Sequence, residues 1–338
     1  MTPYENMGRT VEFAGPERLA LRFPTLGLDD TYGVPLQPAA TWQAPAPNVD
    51  EWHCVWHKPD PASGITNMGQ PKGHPLASLE ALDGFAWPDA HDPNRYAAIE
   101  AALAGAGDRY VMVGLGFTFF ERMHYLYGMD DLFVAMYEQP QRVHELAERV
   151  VSFPIAVAGE LGRRFRGRIH GFAMTDDWGT QQAAFVRIPM WREFFKERYA
   201  RLFAAIHAAG MHAWMHSCGH VHDVIEGWID SRLDVVNLQQ PRDLGIEQIG
   251  ARYRGRICFE SLCDIQMTLP FATDAQVREE ARLLLEHWST PRGGFVLGDY
   301  GDGAAIGVTP QRRRVMLARF LELGAPGMAV PSATVARG

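Results

Sequence analysis

From residue 108 onward, short apolar runs alternate with segments that have the spacing of amphipathic helices. Parallel strands are joined by crossover helices, so this alternation predicts a parallel sheet covered by helices. A chain of 338 residues has the length of a (β/α)8 barrel with insertions. We therefore predict an α/β fold in which residues 1–338 form a single TIM-barrel domain. The predicted strands, some with their following loops, are 111–116, 169–178, 211–216, 234–240, 257–263 and 295–299, and the predicted helices are 129–137, 141–164, 190–209, 221–229, 246–253, 274–286 and 310–323.

Residues 1–107 are less regular and are rich in proline, glycine, tryptophan and aspartate. We predict that they form an irregular N-terminal capping segment within the barrel domain. A helix is expected to begin near Pro16, and a strand is expected over residues 50–56 at the edge of a pocket. Long loops in a compact domain are usually functional, so the segment is predicted either to act as a lid or only to cap the barrel.

Charge and composition narrow the classes of partner. The net charge is −8 and no useful basic run occurs, so nucleic acid is not an expected partner. No apolar run approaches the length of a membrane span, and the N-terminus lacks the pattern of a signal peptide. Four cysteines in a chain of this size favour reduced thiols. We expect a cytoplasmic protein without membrane contact.

A histidine and a cysteine stand two residues apart at the end of a predicted strand, in the sequence MHAWMHSCG. Side chains at positions i and i+2 of an extended chain point to the same side, so His216 and Cys218 are expected to face one point. Imidazole and thiolate together suit zinc. The alternative is a buried cysteine beside a hydrogen-bonded histidine.

Polar or aromatic residues follow nearly every predicted strand, where a TIM barrel carries its active site. This pattern predicts an enzyme. Of the neighbours Asp176 and Asp177, one is expected to cap a helix and the other to contact substrate. Glu260 is a carboxylate within a strand, which is costly to bury unless it is paired or binds a metal. The other residues at strand ends include Phe117, Phe119, Gln239, Cys263, Asp299 and Tyr300.

Several segments together resemble the uroporphyrinogen decarboxylase superfamily. They are DEWHCVW at 50–56, HPLASLEALDGFAWPDA at 74–90, DDWGTQ at 176–181, MHSCGHV at 215–221, DVVNLQQP at 234–241 and CDIQMTLPFATDAQVREEARLL at 263–284. The resemblance spans about residues 15–325 and implies a (β/α)8 barrel. The superfamily contains porphyrinogen decarboxylases and zinc-dependent methyltransferases that exchange methyl groups with a corrinoid protein.

The methyltransferase branch is the more similar of the two. The Arg-Gln-Ala-Gly-Arg type motif of the decarboxylases is missing, and the local sequence is LRFPTLG at 21–27. The methyltransferases bind zinc through His-x-Cys, which His216 and Cys218 match, and through a later cysteine. No cysteine occurs near residues 298–300, where that ligand is expected. Cys263 is the first choice for the third ligand, with Glu260 or Asp299 as alternatives.

The resemblance implies a zinc-dependent methyltransferase that moves a methyl group from a small substrate, such as a methoxylated aromatic, to cobalamin on a corrinoid partner protein. We expect Asp177, Glu260 and Asp299 to orient or protonate the substrate. The alternative is a zinc lyase or decarboxylase that acts on a small carboxylic acid without a corrinoid. The oligomeric state stays open, with a homodimer among the options. Substrate contacts are expected from Phe117, Phe119, Trp178, Gln239 and Tyr300.

Overall fold

The computed structural model describes residues 1–57 and 69–324. Residues 58–68 and 325–338, which the predicted domain includes, lie outside the described residues. Eleven strands form in the described part of the chain. They are β1 (Ala20–Phe23), β2 (Leu28–Asp29), β3 (Thr31–Val34), β4 (Val55–His57), β5 (Gln70–Gly73), β6 (Tyr110–Phe117), β7 (Gly171–Thr175), β8 (His212–His216), β9 (Val235–Leu238), β10 (Cys258–Ser261) and β11 (Phe295–Gly298).

Eight of these strands form a nearly closed parallel barrel, in the order β1-β11-β10-β9-β8-β7-β6-β3. The strand β2 pairs antiparallel with β1 at the seam. Asp30 joins the two sides of the seam, because its N–H donates to the Leu21 carbonyl and its own carbonyl accepts the N–H of Tyr110. The predicted TIM-barrel class is confirmed.

Helices follow the strands and cover the outside of the barrel. The predicted helix 190–209 forms as α6, a π-helical stretch over Arg192–Lys196, and α7. The predicted cap of the helix 274–286 is also observed, since Thr273 and Gln276 form a capping box. The described helices are α1 (Pro3–Val11), α2 (Ile99–Leu103), α3 (Phe120–Tyr127), α4 (Met129–Glu138), α5 (Pro140–Phe165), α6 (Ile188–Trp191), α7 (Glu197–Ala208), α8 (His222–Asp230), α9 (Pro241–Leu244), α10 (Ile246–Tyr253), α11 (Thr268–Phe271), α12 (Asp274–Trp288) and α13 (Pro310–Gly324). None of the described helices is both long enough and apolar enough to span a membrane.

The first 107 residues contribute to the barrel as well as to its surroundings, because β1 and β3 lie within them. The helix predicted near Pro16 is wrong. The Asn6 side chain binds the backbone of Glu17 and Arg18 and holds that stretch without helical structure. The helix α1 begins earlier, at Pro3.

The strand predicted over residues 50–56 is shorter than expected. The Asp50 carboxylate accepts the N–H groups of Trp52 and Cys54, which turns the chain there, and only β4 is extended. The β4 strand pairs with β5 in a separate two-stranded sheet. Its Trp56 ring stacks on Phe117 at a centroid distance of 5.3 Å, so this segment packs against the end of β6.

The helix α1 closes the end of the barrel where the strands begin. Its Met7 and Val11 side chains pack with interior residues of the first strand layers, and both are buried. Polar atoms in this layer are paired: the Tyr110 hydroxyl lies 2.7 Å from the His170 carbonyl and 2.7 Å from His212 Nδ1. This end of the barrel is therefore filled by packed side chains. The remaining members of this cluster are Ala20, Met112, Trp214, Val235, Cys258 and Val296.

Candidate metal centre

A cavity of about 610 Å³ opens at the end of the barrel where the parallel strands finish. Its lining includes His216, Glu260, Asp299 and Gln239, which the sequence predicted for the site. This is the end of a TIM barrel at which active sites lie. Met112 and Trp214, both buried, lie at the interior side of the cavity.

Three potential ligand atoms converge beside this cavity. His216 Nε2 lies 3.3 Å from Cys218 Sγ and 3.6 Å from Asp177 Oδ1. All three atoms lie within 4.8 Å of one another. His216 ends β8 and Cys218 follows in the loop, so the spacing of two residues places both side chains on one side. Asp177 comes from the loop after β7, and its Oδ1 accepts the Cys218 N–H at 2.7 Å.

A hydrogen bond on the side of the ring away from Cys218 sets the orientation of the His216 imidazole. Its Nδ1 lies 2.6 Å from Asn237 Oδ1, and an amide oxygen can only accept, so Nδ1 carries the proton. The Nε2 lone pair therefore points toward Cys218 and Asp177. Histidine ligands of metals are oriented by second hydrogen bonds of this kind.

The donor set fits zinc. Zinc bonds to nitrogen, oxygen and sulfur are about 2.0–2.3 Å long, which puts tetrahedral donor atoms about 3.3–3.7 Å apart. The observed separations of His216 Nε2 from Cys218 Sγ and Asp177 Oδ1, 3.3 and 3.6 Å, match that spacing. Burial, with Asp177 and Glu121 nearby, raises the pKa of the Cys218 thiol, so a cation is needed to favour its thiolate. Three protein donors leave a fourth position for substrate.

A buried carboxyl, Glu121, lies near this group. It accepts hydrogen bonds from the Thr175 and Tyr125 hydroxyls, both at 2.9 Å. Burial, followed by the charges of Asp177 and Asp176, raises the pKa of Glu121 to about 8. Glu121 therefore holds a proton at neutral pH.

Asp176 has a structural role. Its carboxylate accepts the N–H groups of Phe120 and Glu121 at the start of α3, and the Tyr199 hydroxyl also donates to it. Burial raises the pKa of Asp176 to about 7. One of the two neighbouring aspartates thus caps a helix, as the sequence suggested, and Asp177 is the one that faces the site.

Cys263 does not join the group formed by Asp177, His216 and Cys218. It is fully buried, and its thiol lies 3.5 Å from the Val277 carbonyl of α12. The loop after β10 turns its side chain toward the outer helices, away from the barrel interior. Asp177, and not Cys263, is the third residue beside the His-x-Cys pair.

Two predicted carboxylates, Glu260 and Asp299, line the cavity, and an arginine pairs with each. Arg22 Nη1 lies 3.1 Å from both oxygens of Glu260. Arg313 Nε lies 3.4 Å from Asp299 Oδ1, which makes no hydrogen bond within the described residues although it is buried. Neither carboxylate belongs to the candidate metal group.

The predicted aromatic wall forms only in part. Trp178 is fully buried, donates to the Tyr199 hydroxyl at 2.7 Å and stacks on Phe120, so it belongs to the core. Phe119 is also fully buried. Phe117 is half-buried against Trp56 beside the cavity. Tyr300 is half-buried as well, and burial followed by the nearby Cys218 raises the pKa of its hydroxyl.

The sequence analysis did not identify Arg22, Asn237 or Glu121 as site residues. A signal exists for Asn237, because it is a polar residue inside the apolar strand β9 and lies in register with His216. Glu121 directly follows an aromatic run after β6, and only the fold brings it to Asp177. The partnership of Arg22 with Glu260 joins residues that are far apart in the chain and has no local pattern.

Comparisons with known proteins identify the family of the chain. The model of the uroporphyrinogen decarboxylase (URO-D) family matches residues 69–319. The chain therefore belongs to the uroporphyrinogen decarboxylase family. No curated protein matches the sequence.

One similar solved structure supports the fold. A methyltransferase from Methanosarcina mazei aligns with a TM-score of 0.59 and 16% identity, over 78% of this chain and 76% of that chain. A GH10 endoxylanase retrieved from a sugarcane soil metagenome aligns with a TM-score of 0.33 and 10% identity, over 65% of this chain and 91% of that chain. At 16% identity, the similarity to the methyltransferase shows a similar fold and no more than that.

Proposed function

We propose that the protein is a zinc-dependent methyltransferase that moves a methyl group from a small methyl donor to a corrinoid on a partner protein in the cytoplasm. The observation that carries the proposal is the convergence of His216 Nε2, Cys218 Sγ and Asp177 Oδ1 beside a deep cavity. Membership in the uroporphyrinogen decarboxylase family and the similar fold of a methyltransferase support the same class of enzyme.

The residues of the chain have distinct tasks in this proposal. His216, Cys218 and Asp177 would hold the zinc, and Asn237 keeps the His216 ring in the tautomer that exposes Nε2. When bound, zinc supplies Lewis-acid stabilisation to the heteroatom that loses its methyl group. In the metal-free protein, burial and the charges of Asp177 and Asp176 raise the pKa of Glu121 and favour its protonated form beside the site.

The cavity is closed at its interior end and carries polar groups on its wall. Met112 and Trp214 close the interior end, while Gln239 and Asn237 offer amide groups for hydrogen bonds. The side where the strands end stays open, which suits a reaction with a cofactor carried by another protein.

The direct test is methylation of cob(I)alamin by the zinc-loaded protein with a panel of methoxylated aromatic donors. We expect methylcobalamin to form with the wild type and to be lost in His216→Ala. Product formation by the protein alone from a small carboxylic acid, with release of carbon dioxide and without cobalamin, would instead identify a lyase or decarboxylase.

A further inference from the structure

The interior wall of the cavity has a bay where side chains are missing. Gly33 of β3 and Gly114 of β6 point into the barrel, and both are exposed inside it. A Cβ built on either residue would meet no atom within 4 Å. Ala173 lies beside Gly114 on the next strand, β7. We call Gly33, Gly114 and Ala173 the glycine bay.

Apolar residues form the base of the glycine bay. Gly33 is paired in register with Met112, and Ala173 is paired with Trp214. Both large side chains are buried and line the cavity. The bay therefore offers an apolar space to a ligand.

The bay is within reach of the candidate metal centre. Thr175 is paired with His216, and Ala173 lies two residues before Thr175 on the same strand. Two residues of a strand span about 7 Å, which is the size of one aromatic ring with its substituent. A small ligand in the bay would present its other end to His216.

Carboxylates outnumber the basic side chains at the cavity, even when Arg313, the partner of Asp299, is counted. Asp29, Glu260 and Asp299 line it, and among the described lining residues Arg22 is the one Arg or Lys. Glu260 already engages Arg22. An anionic ligand would have to compete with Glu260 for that guanidinium.

Asp299 is held by residues around the cavity. Its side chain is 3% exposed, Arg313 Nε lies 3.4 Å from its Oδ1, and the Thr25 N–H donates to its Oδ2 at 3.3 Å. The carboxylate contributes negative charge to the cavity, while its Oδ1 is shielded from a ligand.

We propose that the cavity binds an uncharged or cationic methyl donor that places its apolar body in the glycine bay, and that it discriminates against carboxylates. The description of the ligand as a methyl donor rests on the proposed function. The recognition itself rests on the shape and charge of the cavity.

The test is equilibrium binding by titration calorimetry with three probes of the same shape. They are 4-hydroxy-3-methoxybenzyl alcohol, 4-hydroxy-3-methoxybenzylamine and 4-hydroxy-3-methoxybenzoate, which are neutral, cationic and anionic. Zinc-loaded and metal-free wild type are both titrated. In the metal-free protein, we expect the alcohol and the amine to bind about tenfold more tightly than the benzoate, and equal or tighter binding of the benzoate there would overturn the charge argument.

Variants test the bay. Gly114→Ala and Gly33→Ala each add one methyl group to open space, so we expect unchanged folding and about tenfold weaker binding of the amine and the alcohol. The matched control is Gly159→Ala on α5, which also adds a methyl group to open space but lies outside the cavity lining. Binding should stay within about twofold of wild type there.

Each result decides the proposal separately from the methyltransferase function. Unchanged binding in both bay variants, or no binding of any probe to wild type, would overturn it. Binding as expected without methylation of cob(I)alamin would keep the ligand class and reject the methyl-transfer chemistry.

Discussion

The two ends of the same barrel differ in what their interior side chains do. Where the strands begin, Met7 of α1 packs on buried apolar residues, and the Tyr110 hydroxyl is fully engaged. Where the strands finish, interior positions carry His216, Glu260 or glycine, and the space between them is open. One set of strands thus supplies stability at one end and chemistry at the other, and changes at the two ends should have separable effects.

The largest expected effect is loss of the metal when the His-x-Cys pair is broken. We expect about one zinc per chain in wild type and close to none in Cys218→Ala, measured by inductively coupled plasma mass spectrometry after gel filtration. Cys263→Ala is the matched control and should retain zinc, because its thiol faces α12. Equal loss in both variants would contradict the arrangement with Asp177.

At the other end, Met7→Ala should destabilise the fold without affecting the site. Met7 is fully buried, and truncation of such a side chain costs about 2–5 kcal/mol. The free energy of unfolding in urea measures this cost, and zinc content should not change. Gly8→Ala on the same helix is the control, since its Cβ would meet open space and should cause no loss. Loss of zinc in folded Met7→Ala would show that the two ends are coupled.

A smaller effect is expected from the residue behind the metal ligand. Asn237→Ala removes the acceptor that orients His216, and loss of such a partner typically costs about 10–100-fold in metal affinity. Competition with a chromogenic chelator measures the zinc dissociation constant. Asn237→Asp keeps an acceptor and should restore most of the affinity, whereas equal weakening in both variants would point to a packing defect.

The smallest expected effect is a pH dependence of the stability of the metal-free protein. The pKa of Glu121 is about 8 when folded, against an ordinary value of 4.5, so between these values the folded state binds more protons than the unfolded state. Stability should therefore fall as pH rises, by about 1 kcal/mol per pH unit between pH 6 and 7.

Glu121→Gln removes the titrating carboxyl group, so the free energy of unfolding of this variant should depend less on pH. Urea unfolding at several pH values, with chelator present, measures it for both proteins. Because Asp176 also has a raised pKa, about 7, a residual slope of the same sign should remain in the variant. Identical slopes in wild type and variant would exclude Glu121 as the source.

Local sequence patterns predicted the features that depend on residues close together in the chain. The alternation of strands and helices predicted the barrel, and the spacing of His216 and Cys218 placed both side chains on one side of a strand. The start of α1 also has a local signal in the sequence: Thr2 and Glu5 form a capping box, and Pro3 occupies the first helical position.

Other features depend on loop conformation and could not be predicted this way. Asp177 reaches the Cys218 N–H because the loop after β7 bends over the end of β8. The side chain of Cys263 turns outward because its loop packs against α12 and α13, where Val277 and Met316 contact it. Cysteine is a common zinc ligand, so residue type favoured Cys263 as the third ligand. The backbone instead places Asp177 beside His216 and Cys218.

The seam of the barrel has a consequence for synthesis of the protein. β1 is made near the start of the chain, but its parallel partner β11 follows only about 275 residues later, and ribosomes add roughly 5–20 residues per second. One edge of β1 therefore stays without its partner for roughly 15–55 s on the ribosome. On the opposite edge of β1, the short strand β2 pairs with Arg22 and Phe23. This local hairpin reduces the unpaired strand surface that a nascent chain would otherwise offer to its neighbours for aggregation.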